Sequence, residues 1–358
     1  MHNDNIATIN RETRESCETF LFNSFLLLFF STNCENIFVP LWAQTFVTMV
    51  TSKKKKWLWA VLLMTAAAIV VAWWMLRPSN KIPEVSIGKL ERFVGFESKF
   101  VSPRTVSVWL PLGYAPGDSC DVIYMHDGQM LFDANATWNG QEWQIDEIVG
   151  QLVGDSTIRR CIVVGIDNTD DRLAEYFPNN SMLFLPAEIR DKAQSDKLQG
   201  NEYLQFIVEE VKPFIERRYR PLTGREHTFM MGSSMGGLIS LYALCEYPQV
   251  FGGVACLSSH LSFSHLGFGI ESEQWAEAFR DYVAAHLPEV NSSLVYMDHG
   301  TEDFDAEYAP YQKRIDSVFL ASGWDKQHYM SRVFEGHEHK EIFWAKRLEY
   351  PLLFLLGR

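Results

Sequence analysis

The chain has 358 residues, 47% hydrophobic, 14% aromatic and 22% charged, a balance that excludes a mainly disordered, collagen-like or coiled-coil protein. Its formal charge is −13, and from Lys81 onward 25 Lys+Arg face 40 Asp+Glu. So acidic a body lacks the basic footprint that binds phosphate backbones, which argues against nucleic acid as a partner.

In chain order, Phe20 to Phe30 is apolar but too short to span a bilayer, and the next stretch, STNCENIFVPLWAQ, has no clear helical or strand period. Residues 1–52 are expected to be an extension without a folded role, and Met49 offers a natural start just before Val-Thr-Ser-Lys-Lys-Lys-Lys. Trp57 to Leu76 then runs for 20 residues without a charge, with tryptophans at both ends. At about 1.5 Å per residue such a helix matches a hydrocarbon core about 30 Å thick. Lys53 to Lys56 precede it and only Arg77 and Lys81 follow closely, so the positive-inside bias leaves the body outside the cytoplasm, periplasmic or at the cell surface. AWWMLRPSN lacks a small-residue cleavage site, which favours an uncleaved single-pass anchor over 53–78 rather than a signal peptide. Residues 79–83 read as a linker and 84–358 as the body.

The six cysteines show no CxxC and no Cys/His ligand spacing, so no metal is expected of them; Cys161 and Cys256 lie in apolar runs as small buried hydrophobes. Thr105 to Leu110 alternates apolar and polar positions as a half-exposed strand does. Asp121 to Met125 and Cys161 to Gly165 are nearly continuous apolar runs, suited to central parallel strands covered on both faces. Leu204, Ile207, Val208, Val211, Phe214 and Ile215 form a helical stripe. Strand-like HTFMMG, GVACLS, SLVYMD and YMSRVF then alternate with helical Met235–Tyr247, Gln274–His286, Ala306–Leu320 and Glu341–Leu355. Repeated βα units predict a three-layer α/β/α sandwich with a mostly parallel sheet.

Gly232-Ser-Ser-Met-Gly236-Gly237 places G-x-S-x-G at a strand-to-helix junction, the context that makes Ser234 a nucleophile on a tight, strained turn. Gly232 and Gly236 leave room where side chains would meet neighbouring backbone, Gly237 permits close packing of helix on strand, and the Met235 N–H heads the helix where an oxyanion would form. A serine hydroxyl needs a base, and the base an orienting acid, in the chain order Ser, Asp/Glu, His. His337 and His339, after the last strand, compete for the base, and spacing alone does not separate them. The acid should come from His299-Gly-Thr-Glu-Asp-Phe-Asp305, with Asp303 first and Glu302 and Asp305 as alternates. As a metal site His337-Glu-His339 lacks further ligands in sequence.

YMHDGQMLFD at 124–133, GSSMGG at 232–237, HGTEDFD at 299–305 and GHEHKEIFW at 336–344 together resemble the putative esterase family of the α/β-hydrolase fold. That family includes enterochelin esterases, feruloyl esterases, S-formylglutathione hydrolases and mycolyltransferases, and the resemblance spans about 100 to 355. It implies Asp303, last in G-T-x-D, as the acid. It implies His339, five residues before Trp344, as the base, and Gln129 as the second oxyanion N–H donor beside Met235. Lys340 stands where asparagine is more usual.

Arg172 and Glu175, in the loop after a central strand, are placed where ligands bind in open α/β sheets, although mutual bracing of the loop is favoured. Trp138 is a candidate substrate contact, forming an aromatic wall with Trp143 or else packing in the core. Asn179–Gln199 is long, polar and poorly patterned, as lids and flaps are. The sequence therefore predicts a membrane-anchored serine carboxylic-ester hydrolase, acting through an acyl-enzyme on a small-molecule or glycan-linked ester, with no cofactor. An acyltransferase to a cell-surface glycan, and a non-catalytic binding module on the same scaffold, are the alternatives.

Overall fold

Strands whose side chains are apolar on both faces must lie between two layers, and that requirement organises the body. The structure, a computed structural model, describes residues 64–65, 82–192, 197–266 and 269–358. The chain divides into two units, Met1–Arg77 and Pro78–Arg358. Of the first, only Met64 and Thr65 are described, both helical. The expected span Trp57–Leu76 otherwise lies outside the described residues, among which no helix is long and apolar enough to cross a membrane.

In the second unit eight strands form one sheet: β1 Lys89–Phe96, β2 Arg104–Leu110, β3 Asp121–His126, β4 Cys161–Ile166, β5 Thr228–Ser233, β6 Gly253–Leu257, β7 Leu294–Gly300 and β8 Tyr329–Phe334. Their spatial order is β1-β2-β4-β3-β5-β6-β7-β8. β1 and β2 run antiparallel, β2 joins β4 antiparallel, and all later pairings are parallel. The α/β architecture with a mostly parallel sheet is thus as the sequence predicts. β1 was not expected: KLERFVGF is half exposed at the sheet edge, pairs on one side only and carries a register irregularity between Phe93 and Phe96, so it has no clean alternation.

The longer helices are α1 Ile145–Gly154, α2 Gly200–Gln205, α3 Lys212–Tyr219, α4 Met235–Glu246, α5 Ser272–His286, α6 Ala309–Ala321, α7 Glu341–Arg347 and α8 Glu349–Leu356. A π-helical turn, Phe206–Val211, joins α2 to α3, so the predicted stripe is one helical run with a wider turn inside it. Along β3 the period of two sorts side chains into separate cores. Val122 and Tyr124 pack with Leu204, Ile215, Leu238, Tyr242, Phe279 and Ile315, whereas Ile123 and Met125 pack with Ile145, Val149, Trp344 and Leu352. Burial stabilises each such side chain by about 1.5–3 kcal/mol. The predicted helix Glu341–Leu355 is broken at Leu348. Pro351 has no N–H to donate to the Arg347 carbonyl, and the chain restarts as α8. Within the segment expected as a flap, Asn179–Phe184 is a 3₁₀ helix whose Phe184 ring meets Tyr282 of α5 edge-on at 5.9 Å.

Candidate active site

The carboxyl ends of β3, β5, β6 and β7 converge on the turn between β5 and α4. There Ser234 holds φ 57° and ψ −124°, a strained conformation for a residue with a Cβ, and caps the 12-residue helix α4. Its backbone is tied on both sides: its N–H donates to the Leu257 carbonyl (3.0 Å), and its carbonyl accepts from His260 N–H (3.1 Å) and Gly237 N–H (3.1 Å). A Cβ on Gly232 would stand 2.8 Å from both the Gly236 carbonyl carbon and His126 Cδ2, so the sharp bend exists only without it. Ser233, the neighbouring hydroxyl, is buried in β5.

His126 supports this turn from beneath. Burial pushes its imidazole down to about 3, so it is neutral, and its Nδ1 pairs with the Tyr203 hydroxyl at 2.8 Å. The next residues build the second half of the candidate oxyanion site. Asp127, at φ 55°, caps the 3₁₀ turn Gly128–Met130, and Gly128 lies so close to β4 that a Cβ would be 2.6 Å from the Gly165 carbonyl carbon. Gln129 N–H is the second of that turn and has no carbonyl behind it, as Met235 N–H has none at the head of α4. The Gln129 side chain accepts from Asn168 N–H at 3.1 Å, which fixes the turn against the loop after β4.

The structure separates the expected acid from the expected base. His339 Nδ1 pairs with Asp305 Oδ1 at 2.6 Å, not with Asp303. After β7 the chain enters the 3₁₀ helix Asp303–Glu307, where residues three apart share a face. Asp305 and Tyr308 are buried on one face while Asp303, with φ 56°, is exposed on another. Asp305 Oδ2 accepts from Ser258 Oγ (2.5 Å) and Gly300 N–H (2.6 Å). Burial alone would raise its pKa, but the hydrogen bond and charge of His339, with Ser258 and Gly300, hold it below the usual range.

His339 is boxed by aromatic edges, with Trp344 at 5.0 Å, Tyr308 at 5.7 Å and Phe304 at 5.8 Å between ring centroids. The Ser234 hydroxyl lies within hydrogen-bonding reach of the Tyr308 phenol, so serine and imidazole flank the same ring. Among the described residues no hydrogen bond joins Ser234 Oγ to His339, whose Nδ1 partner is Asp305. Tyr308 is itself held by His260, whose Nε2–H donates to the Ser264 carbonyl (2.9 Å) and whose Nδ1 accepts the phenol proton (2.8 Å). Burial pushes His260 down to about 4, keeping it in that neutral form. His337, the competing base, is a brace: its carbonyl accepts from Thr301 and Glu302 N–H, and its ring packs on Phe334 and Phe343.

The expected substrate contacts are placed differently. Glu175 is fully buried and holds Arg104 through two hydrogen bonds, 2.5 and 2.7 Å, so it is not available to a ligand. Arg172 does not pair with Glu175. It clamps Asp127 at 2.7 and 2.9 Å, and thereby secures the turn that carries Gln129. Trp138 and Trp143 do not form one wall: Trp143 is buried against Trp344 at 5.5 Å, while Trp138 is 73% exposed. Neighbouring Asn139 nevertheless bonds Glu341 at the start of α7, two residues after His339, so the Trp138 loop is tethered beside the base. Sequence reasoning missed Tyr308, His260, Ser258 and Arg347. None of them left a distinct signal there; Arg347 is one of three charges, with Lys346 and Glu349, in WAKRLEYPLLF.

Residues 98–355 match the model of the family described as "Putative esterase". A siderophore enterobactin esterase of Emericella nidulans is 27% identical over 219 residues, covering 58% of this chain and 65% of that protein. Among solved structures, a ferulic acid esterase superposes with a TM-score of 0.56 at 20% identity, covering 75% of this chain and 97% of its own. The enterobactin esterase of Shigella flexneri gives 0.54 at 17% identity, covering 78% of this chain and 62% of its own.

Proposed function

Since the chain belongs to the putative esterase family, and is a carboxylic ester hydrolase, we propose that it works by a Ser234-His339-Asp305 triad through an acyl-enzyme. His339 Nε2 takes the Ser234 proton as Oγ attacks the ester carbonyl, and Asp305 stabilises the imidazolium and fixes its tautomer. Met235 and Gln129 N–H groups receive the oxyanion. The C–O bond to the alcohol then breaks, and the alcohol leaves with the proton from His339. Water enters, gives a proton to His339 and attacks the acyl carbon; the acid departs as Ser234 regains its proton.

The observation that carries this reading is the Asp305–His339 pair, 2.6 Å long, beside a serine on a strained turn at a helix N-terminus. Ser234→Ala is expected to abolish p-nitrophenyl acetate turnover and fluorophosphonate labelling while leaving the circular dichroism spectrum unchanged. Full labelling of that variant removes Ser234 from the role. The substrate class we propose is a small ester with an aromatic acyl group, a catecholate or a ferulate. What supports it is the likeness to the enterobactin and ferulic acid esterases, together with the exposed Phe304 edge-on to His339. We place the enzyme outside the cytoplasm on an N-terminal anchor, supported by the uncharged stretch Trp57–Leu76 behind Lys53 to Lys56.

A further inference from the structure

A second cluster of titratable groups, unused by the mechanism, lies at the start of α1. Glu142, Asp146 and Glu147 each offer a carboxylate oxygen, and these oxygens lie within 4.8 Å of one another. Acidic residues in the first turn of a helix are ordinary, because backbone N–H groups and the dipole favour them. Here Ala134 N–H bonds Glu142, but one oxygen of each of the three acids is left over. Glu142 Oε2, Asp146 Oδ1 and Glu147 Oε2 are all buried and have no hydrogen-bond partner, and Asp146 is 0% exposed. Among the described residues no lysine or arginine pairs with any of the three carboxylates.

The other carboxylate oxygens are occupied, and they show what the cluster holds. Asp146 Oδ2 accepts from Ser86 N–H (2.5 Å) and Ile87 N–H (3.4 Å), and Glu147 Oε1 accepts from Ser86 Oγ (2.9 Å). Each of these two carboxylates therefore turns one oxygen to the incoming strap at Ser86–Ile87 and the other toward its neighbours. Burial, with the crowding of like charges added to it, pushes Glu142 up to about 7 and Asp146 up to about 6.

We infer that Glu142, Asp146 and Glu147 form a site for a hard divalent cation, calcium in preference to magnesium, which fastens the strap at Ser86–Ile87 onto α1. Oxygen-only ligands without histidine or cysteine select hard cations. Calcium sits about 2.3–2.6 Å from each ligand, so opposed ligands are about 4.6–5.2 Å apart; magnesium, at about 2.0–2.1 Å, demands a tighter octahedron. Three carboxylates drawn onto one ion favour calcium, because magnesium dehydrates reluctantly and keeps most of its waters. The site also adjoins the oxyanion turn. Trp143 N–H donates to the Met130 carbonyl (3.0 Å) and Ile145 N–H to the Leu131 carbonyl (3.1 Å), so the segment bearing the ligands is stitched to the turn bearing Gln129.

Equilibrium dialysis of the chelator-treated full chain against calcium, near pH 8, tests this. The expected result is one calcium per chain, with half-saturation at or below about 1 mM, and a calcium-dependent rise in Tm that equal magnesium does not reproduce. Glu142→Gln, which touches no part of the strap, is expected to weaken calcium binding at least about tenfold and erase the Tm rise. Glu147→Gln is the second variant, in case the first fails to fold. No binding up to about 10 mM calcium, or unchanged affinity in both variants, overturns the site and leaves a proton shared among the carboxyls.

Discussion

Asparagine at position 305 is the perturbation whose consequence can be traced most directly through the structure. The Oδ2 position of Asp305 receives donors only: Gly300 N–H, the Ser258 hydroxyl, and the Arg347 guanidinium 3.7 Å away. Ser258 cannot reverse its bond, because its oxygen already accepts from Arg347 Nη2 (2.6 Å) and Trp344 Nε1 (3.0 Å). In Asp305→Asn the amide oxygen must therefore occupy that pocket, and the NH₂ group turns to His339. Nδ1 becomes an acceptor and the ring proton moves to Nε2, the nitrogen that should receive the serine proton. The hydroxyl then has no base although every side chain is nearly in place. A wrong tautomer of this kind lowers kcat by about 10⁴, or about 5.5 kcal/mol of transition-state stabilisation. Asp303→Asn, which alters an exposed carboxylate on the other face of the 3₁₀ turn, is expected to stay within about twofold of the parent. Initial rates of p-nitrophenyl acetate hydrolysis, with circular dichroism to confirm folding, compare the pair. If Asp303→Asn loses as much as Asp305→Asn, or Asp305→Asn keeps more than about a tenth of the activity, the assignment of the acid is wrong.

The buried histidines predict acid sensitivity. His126 and His260 are held neutral, near 3 and 4 against an ordinary 6.5, so only the unfolded chain takes up their protons as pH falls below 6.5. Stability is then lost on acidification, by about 2 kcal/mol per histidine between neutrality and pH ~5; urea midpoints that stay level across that interval refute it. Tyr308→Phe removes the hydroxyl between His260 and Ser234 and leaves a buried Nδ1 without its donor. A stability loss of about 1–3 kcal/mol is expected, with kcat reduced about tenfold and KM little changed; an unaltered kcat shows that Tyr308 does not position the nucleophile.

What was legible in the sequence is what the backbone itself demands. β3, β4, β5 and β6 are buried on both faces, so their apolar runs announce themselves, and Gly232 is required wherever Ser234 is to project from its bend. Which acid pairs with His339 was not legible, although Asp305 stood among the alternates. Asp303 and Asp305 both come after β7 within a few residues, and which one turns inward depends on the three-residue period of a short helix begun at Asp303, not on any property of the carboxylates. Pairings across long stretches of chain were hidden for a similar reason. Arg104 reaches Glu175 and Arg172 reaches Asp127 only because β2, β3 and β4 are neighbours in the sheet, so the nearer pair Arg172 and Glu175 suggested a bond that topology forbids.

The same sheet order explains how the site keeps charge where its chemistry needs it. Two buried carboxylates, Asp298 and Asp305, face one buried guanidinium, with Arg347 Nη2 at 3.0 Å from Asp298 Oδ1 and 3.7 Å from Asp305 Oδ2. Proximity to the cation would favour ionisation of Asp298. Burial instead outweighs Arg347 and the Tyr296 bond and raises Asp298, whereas at Asp305 burial is overcome by His339, Ser258 and Gly300. Environments that push two acids apart assign their roles. Asp298 serves as the partner that fixes Arg347, and Arg347 in turn holds Ser258, whose proton is aimed at Asp305. Ionisation is therefore favoured more at the carboxylate that faces the imidazole. His339, carried on a loop between β8 and α7 with no regular structure of its own, is oriented by residues from the turn after β6, the loop after β7 and α7.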